Sequence, residues 1–335
     1  MKTLFLIAVF ISFITTIFLM PYWIRKTKQI GLVWDDMNKA KAKKIAGSGG
    51  IIAILGFIFG VLIYVAIQTF YFGSKEHFIE LFALTTSLLI LAGIGTIDDL
   101  FGWRHGGLSK KSRIIMVLFA SIPLMVINAG DSGMFIPFIG RVNIGLFYPL
   151  VIIPLGIVGA STTFNFLAGY NGLEAGQGII ILSALTIVSL VTGSHWLAII
   201  SMCMIASLFG FLIFNKYPAK VFPGDVLTYS VGALIASMAI LGNYELFAVF
   251  IFIPYILETA LKLRGGLKKQ SFGMPQRDGS IKNKYVNIYG LEHFAIRILE
   301  KIKLSGRAYE WEVVLVVHAI QILFIILGFT LLIRW

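Results

Sequence analysis

"FIELFALTTSLLILAGIGTIDDL" (residues 78–100) decides the fold of this chain. Between Phe78 and Ile97 it carries a single charge, Glu80. A helix of about 20 such residues spans the hydrocarbon of a bilayer. The run then stops on two adjacent acids, Asp98 and Asp99. Like charges this close repel, so the pair raises the question of which positive partner makes it worth placing there.

The same apolar pattern recurs along the 335 residues. Hydrophobic residues make up 58%, charged residues 13%, and the mean hydropathy is +0.89. No soluble core hides that much apolar side chain; a bilayer does. The spans fall at about 3–24, 49–71, 78–97, 113–128, 147–165, 177–192, 196–214, 225–241, 244–261 and 310–333. The expected fold is all-α: a polytopic membrane protein of about ten helices, forming one domain over 1–335. Leu4–Met20 lacks a basic leader and a small-residue cleavage site, so it reads as the first span. A lone cysteine, Cys203, excludes an intramolecular disulfide and a cysteine metal cluster.

The net charge of +12 is not the mark of a nucleic-acid binder. With ten spans, 24 of the 28 Lys and Arg residues fall on one side. Such a bias orients a membrane protein with its basic loops in the cytoplasm, which puts both termini outside. On the outer side, "DSGMFIPFIGRVNIG" (131–145) suggests a small β-hairpin around Gly140-Arg141. The longest inner loop, 262–308, contains "LEHFAIRILEKIKL" (291–304), with Leu291, Phe294, Ala295, Ile298, Leu299 and Ile302 at helical spacing. It reads as an amphipathic helix, either lying on the membrane face or packed on the other loops.

Four polar clusters lie on the predicted inner side. They are Asp98-Asp99, "STTFNFLAGYNGLEAGQG" (161–178) with Asn165, Asn171 and Glu174, "VFPGDVLTY" (221–229) with Asp225, and "GMPQRDGSIKNK" (273–284) with Arg277. Taken singly each has a plainer reading. Acids at helix ends are often solvated, "PGD" is a helix N-cap signal, "NG" is a turn, and lysines 39, 41, 43 and 44 serve as orientation charges. His318 and Glu258, inside or near spans, read as hydrogen-bonded helix-packing groups. Recurrence at one face of four helix ends favours a site instead, because buried acids without partners are costly. Carboxylate and amide oxygens without histidine or cysteine suit a hard cation. Mg²⁺ takes one or two protein oxygens and shares its shell with substrate phosphates. Asp225 and Asn165 supply that set, and glycines nearby let backbone N–H groups approach a phosphate or a base.

These residues resemble those of the polyprenyl-phosphate N-acetylhexosamine-1-phosphate transferase family. "NFLAGYNGLEAGQG" is close to the motif of its eukaryotic and archaeal branch, the dolichyl-phosphate GlcNAc-1-phosphotransferases. "GTIDDL", "FPGD" and the lysine-rich "KAKAKKIAGSGGI" (39–51) follow in the family's order and spacing. The resemblance implies ten spans with cytoplasmic catalytic loops, and transfer of GlcNAc 1-phosphate from UDP-GlcNAc to a polyprenyl or dolichyl phosphate, with UMP leaving. It implies Asp98, Asp99 and Lys111 (Lys110 in the rival register) as catalytic groups. Mg²⁺, with Mn²⁺ as substitute, would sit on Asn165 and Asp225, and Asn171 would contact uracil. Gly172, Glu174 and Arg277 would bind substrate. Asp98 and Asp99 would orient Lys111 and the metal's waters, with general base as the rival role. Expected partners are the nucleotide sugar, the lipid and the bilayer, with no nucleic acid, in a monomer or homodimer.

Three departures bear on substrate. Ala168 and Asn171 stand where the bacterial branch has aspartates, and "MPQRDGS" replaces its histidine-rich loop. Both argue against a cell-wall pentapeptide substrate. Gly47 stands where the eukaryotic branch has a glutamate. A cation-binding transporter is the alternative class, but its acids belong near mid-bilayer, not at one face.

Overall fold

The computed structural model describes residues 3–41, 43–136 and 140–332. The long helices are α1 (Leu6–Ile30), α2 (Gly50–Ala66), α3 (Phe78–His105), α6 (Ile153–Phe166), α7 (Leu173–Val191), α8 (His195–Asn215), α9 (Asp225–Gly242) and α13 (Glu310–Leu332). π-helical turns lengthen α2 to Tyr71 and begin α6 at Tyr148. These eight stretches are long and apolar enough to cross a membrane. A ninth span is broken: α10 (Glu245–Ile251) and α11 (Ile253–Arg264) meet at a 54° bend. Pro254 explains the break, since it lacks an N–H and its ring clashes with the preceding turn.

All ten predicted intervals are therefore helical, but 113–128 is not one uninterrupted helix. It forms as α4 (Lys110–Phe119) and α5 (Ile122–Val126). The ladder stops at Ala120-Ser121, where the Ser121 hydroxyl donates to the Leu118 carbonyl and Pro123 lacks an N–H to continue it. The second departure is α3. It runs on to His105, so Asp98 and Asp99 lie within the helix and not at its end.

α9 is the central post. Of the candidate spans it is the most buried, whereas α1 and α13 lie at the periphery. It packs against α2, α3, α6, α7 and α10. Two glycines allow the close approach. A Cβ on Gly95 of α3 would stand 2.5 Å from the Val226 backbone, and one on Gly232 of α9 would stand 2.6 Å from the Ala160 carbonyl of α6. Small residues at such crossings let backbones meet in a membrane.

The helix ends sort into two sets. Chain ends of α1, α3, α6, α8 and α11 share one end of the bundle with the starts of α2, α4, α7, α9 and α13. The ties at that end are hydrogen bonds from Gly49 and Gly50 N–H to the Phe222 and Pro223 carbonyls, and from Asn171 N–H to Glu310. At the opposite end, β3 (Gly133–Ile136) pairs antiparallel with β4 (Gly140–Asn143), Phe135 facing Arg141. This is the predicted hairpin; its turn, 137–139, falls outside the described residues.

Two further small ribbons lie at the first end: β1 (Val33–Asp35) with β2 (Lys44–Ala46), and β5 (Met274–Pro275) with β6 (Ile281–Lys282). α12 (Leu291–Ile302) is the expected amphipathic helix. It buries Leu291, Ala295 and Ile296, leaves Phe294 and Ile302 exposed, and packs on α11 and α13. Cys203 is buried and free. His318 bonds Gln177 at 3.2 Å, and Glu258 pairs with Lys262 at 3.2 Å and accepts from Leu291 N–H at 2.6 Å, so both are packing groups as expected.

Candidate active site

Consecutive residues on a helix point about 100° apart, and this separates the two aspartates of α3. Asp98 faces α4. It pairs with Arg113, Nη2 at 3.0 Å from Oδ1 and Nε at 2.5 Å from Oδ2. Its Oδ1 also accepts from Leu108 N–H at 2.8 Å, and Tyr229 Oη lies 3.4 Å from Oδ2. Asp99 faces α9 instead. Its Oδ1 accepts the backbone N–H of Asp225 at 2.8 Å, while its Oδ2 is buried without a partner. The cation of the opening question is thus Arg113, and of the two adjacent acids it pairs with Asp98.

Asp225 begins α9 after the turn Phe222-Pro223-Gly224. Gly224 has φ +73°, and a Cβ there would stand 2.1 Å from Asp99 Oδ2. Asn165, near the end of α6, donates from Nδ2 to Asp225 Oδ1 at 2.8 Å and to Thr228 Oγ1 at 3.0 Å. Three carboxylates, Asp98, Asp99 and Asp225, therefore gather around one guanidinium, which leaves negative charge unbalanced in a buried place. Among the described residues no group of three His, Cys, Asp or Glu is disposed as a metal cage. The oxygens on offer are two carboxylates and one amide, the small hard set that Mg²⁺ accepts while keeping waters. Asp99 Oδ2 is the orphan such a cation would satisfy. Asn165 would present Oδ1 only after rotating its amide.

Asp99, Asn165 and Asp225 share a cavity of about 560 Å³ with Glu174, Tyr170 and Phe272. Glu174 anchors the asparagine loop: Oε1 accepts from Gly169 N–H at 2.7 Å, while Oε2 is buried and unpartnered. Gly169 has φ +104°, and the Phe272 ring packs where its Cβ would be. Tyr170, its phenol pushed well above the usual range by burial, donates to the Ser271 carbonyl at 3.2 Å. The long inner loop thereby closes one wall.

Four of the nine residues singled out from sequence line this cavity: Asp99, Asn165, Glu174 and Asp225. Asp98 stands behind it. Asn171 is buried and turned away, its N–H on Glu310 Oε1 at 2.8 Å and its amide on Asp36 Oδ2 at 3.2 Å. Gly172, φ +85°, begins α7. Lys111 and Arg277 are both exposed and do not line the cavity; Arg277 sits in the turn between β5 and β6. Lys110 reaches the Leu267 carbonyl at 3.2 Å. Reading the sequence missed Arg113, Asp36 and Glu310. Arg113 is three residues past Lys110 on one helix, a choice only the docking of α4 resolves. Gly47 has a packing cause: the Trp34 ring fills the place of any side chain there.

Comparison with known proteins places the chain in a family. The glycosyl transferase family 4 profile matches residues 81–243, which carry Asp98, Asp99, Asn165 and Asp225. A Saccharolobus solfataricus protein is 38% identical over 96% of this chain and 94% of its own length, and one from Sulfolobus acidocaldarius is 33% identical over the same shares. Both carry the provisional name UDP-N-acetylglucosamine–dolichyl-phosphate N-acetylglucosaminephosphotransferase. A phospho-N-acetylmuramoyl-pentapeptide-transferase of Halalkalibacterium halodurans is 30% identical over 77% of this chain and 81% of its own. With relatives at 38% and 33% identity over nearly the whole of both chains, and the profile matching 81–243, the chain belongs to glycosyl transferase family 4.

Proposed function

We propose that this protein transfers N-acetylglucosamine 1-phosphate from UDP-N-acetylglucosamine to a polyprenyl or dolichyl phosphate, with UMP as the second product. The observation that carries this reading is that Asp225 bonds both Asn165, through its carboxylate, and Asp99, through its backbone N–H, on the wall of a single cavity. Two relatives alike over nearly the whole chain bear the name of that reaction.

A phosphate oxygen of the lipid attacks the β-phosphorus of the nucleotide sugar. The bond from that phosphorus to the bridging oxygen breaks, and UMP leaves with the electron pair. The lipid phosphomonoester has a second pKa of roughly 6, so it reaches neutral pH largely as a dianion and needs no dedicated base. Asp98 is fully engaged by Arg113 and Leu108, which suits a positioning role and not proton abstraction. Asp99 and Asp225, with Asn165, would hold Mg²⁺ or Mn²⁺, which supplies positive charge against the diphosphate. Glu174 offers its free oxygen to a donor group of the substrate.

The acceptor's chain needs an apolar berth. A groove of about 320 Å³ lies between α6, α9 and the bent α10–α11 pair, lined by Leu155, Gly159, Ala160, Ile235 and Phe252. It includes Thr163, two residues before Asn165 on the same helix. Lipid tails are as apolar as this groove, so packing and shape, and not transfer from water, would hold a few isoprene units there with the phosphate toward the site. The excess of Lys and Arg at the site end supports a cytoplasmic active site.

The test is incorporation of labelled UMP into UDP-N-acetylglucosamine by purified protein with lipid phosphate, followed by a panel of UDP-sugars. Exchange that stops with EDTA and returns with Mg²⁺ is the expected outcome. No exchange with any UDP-N-acetylhexosamine in the presence of Mg²⁺ and lipid phosphate removes the reading.

A further inference from the structure

Behind the asparagine loop lies a second charged network, distinct from the aspartates. Glu310, the first residue of α13, uses both carboxylate oxygens. Oε1 accepts from the backbone N–H of Asn171 at 2.8 Å, and Oε2 is held by Lys39 Nζ. Lys39 also lies 3.9 Å from Asp36 Oδ2 and 4.0 Å from the centre of the Tyr217 ring. Asp36 accepts the Asn171 side-chain amide, and Asn38 donates to the Gly169 carbonyl at 3.1 Å. Asp36, Asn171 and Glu310 are each no more than 5% exposed.

Three segments remote in sequence are thus clasped to one loop: residues 36–39, residues 169–171 and the start of α13. Asp36, Lys39 and Glu310 all lie outside the 81–243 stretch that the family profile matches. The clasp touches neither Asp99 nor Asp225. What it does fix is the backbone at Gly169 and Tyr170, together with Asp36 and Met37, all of which line the cavity. A buried carboxylate with one charged partner and one backbone donor has a single favourable placement, because leaving either unmet is costly.

We infer that Glu310, held by Lys39, is a positioning residue for the nucleotide-sugar donor: it sets the wall of the cavity at Gly169–Asn171, and acts on donor binding and not on the lipid or the chemical step. The inference rests on the reading of the cavity as a UDP-sugar site. The groove assigned to the lipid lies between α6, α9 and α10–α11 and shares no residue with the clasp, which is why the two substrates should respond differently.

The experiment compares full-length Glu310→Gln, Lys39→Met, Lys39→Arg and the Glu310→Gln/Lys39→Met pair with the parent protein. Each is read for KM of UDP-N-acetylglucosamine, KM of lipid phosphate, kcat, and the rise in melting temperature with added UMP. The expected result is a donor KM raised about tenfold and a lost UMP response in Glu310→Gln and Lys39→Met. The lipid KM and kcat stay within about twofold, Lys39→Arg retains parental behaviour, and the pair is no worse than Glu310→Gln alone. Equal changes in both KM values, a fall confined to kcat, or additive effects in the pair would each overturn it. An inactive parent protein that still shows a clasp-dependent UMP response overturns the transfer reaction and leaves the clasp; an active parent with indifferent variants does the reverse.

Discussion

The backbone N–H of Asp225 donates to Asp99 Oδ1 across 2.8 Å, joining the start of α9 to the last turns of α3. That bond holds the buried Asp99 beside the half-buried Asp225, with Asp99 Oδ2 left over. Replacing Asp99 with asparagine keeps the acceptor for Asp225 N–H and removes one of two neighbouring negative charges. Asp99→Asn should therefore match or exceed the parent in melting temperature without divalent cation, while turnover falls about 100-fold or more, the scale of removing one preorganised electrostatic group. Scanning calorimetry in detergent and the UMP-exchange assay check the two halves separately.

Arg113 and Lys111 give opposite expectations. Removing Arg113 strands the buried Asp98 carboxylate, at a cost of about 1–3 kcal/mol. Lys111 is exposed and its loss should stay within about 0.5 kcal/mol. Arg113→Met should lower both melting temperature and turnover, and Lys111→Met should change neither by a comparable amount. A turnover loss specific to Lys111→Met would instead place that lysine on the substrate.

This pair also shows where the sequence stopped being legible. The apolar runs located the spans, because burial in lipid leaves a 20-residue signature that composition cannot hide, but not the continuation of α3 to His105 or the break within 113–128. Asn165 and Asp225 were legible as partners because each sits in a compact motif at a helix end. Which of Lys110, Lys111 and Arg113 meets Asp98 was not, since adjacent positions differ only by rotation about α4. Asp36 and Glu310 were less legible still. They lie far apart in sequence, in segments with no periodicity, and only the docking of α13 brings them to Asn171. The break at Ser121 leaves no stronger mark in sequence than Pro123, and Pro254 in α11 has the same appearance.

The base of the long loop predicts a pH dependence. Glu292, in α12, is fully buried with neither oxygen bonded, and burial, reinforced by the neighbouring Glu258 charge, pushes its carboxyl up to about 8 from an ordinary 4.5. Lys262 pulls the other way and does not prevail. A raised folded-state value means that the folded protein binds the proton more tightly than the unfolded chain does. Its stabilising contribution is complete below about 4.5 and is lost as pH rises through about 8. Glu292→Gln should flatten the fall in melting temperature across that window and be the more stable form at its upper end. An unchanged pH slope in the variant would assign the proton elsewhere.

The groove offers a test that separates the acceptor from the donor. Gly159 lies on α6 and lines the groove, and a Cβ built on it meets nothing within 4 Å. The first carbon of a side chain there displaces no neighbour. Replacing a mid-helix glycine also favours the helix by up to about 1 kcal/mol, so Gly159→Phe should fold at least as well as the parent. Its ring would occupy volume that the polyprenyl chain needs, close to Ala160 and Phe252. The lipid phosphate KM should rise about tenfold or more while the UDP-N-acetylglucosamine KM holds, because the donor cavity lies beyond Thr163 on the far side of Asn165. Since the ring excludes only the chain that packs in the groove, the penalty should shrink with acceptors shortened to a few isoprene units. A variant equally active on long and short acceptors would mean that the lipid chain lies along some other face of the bundle.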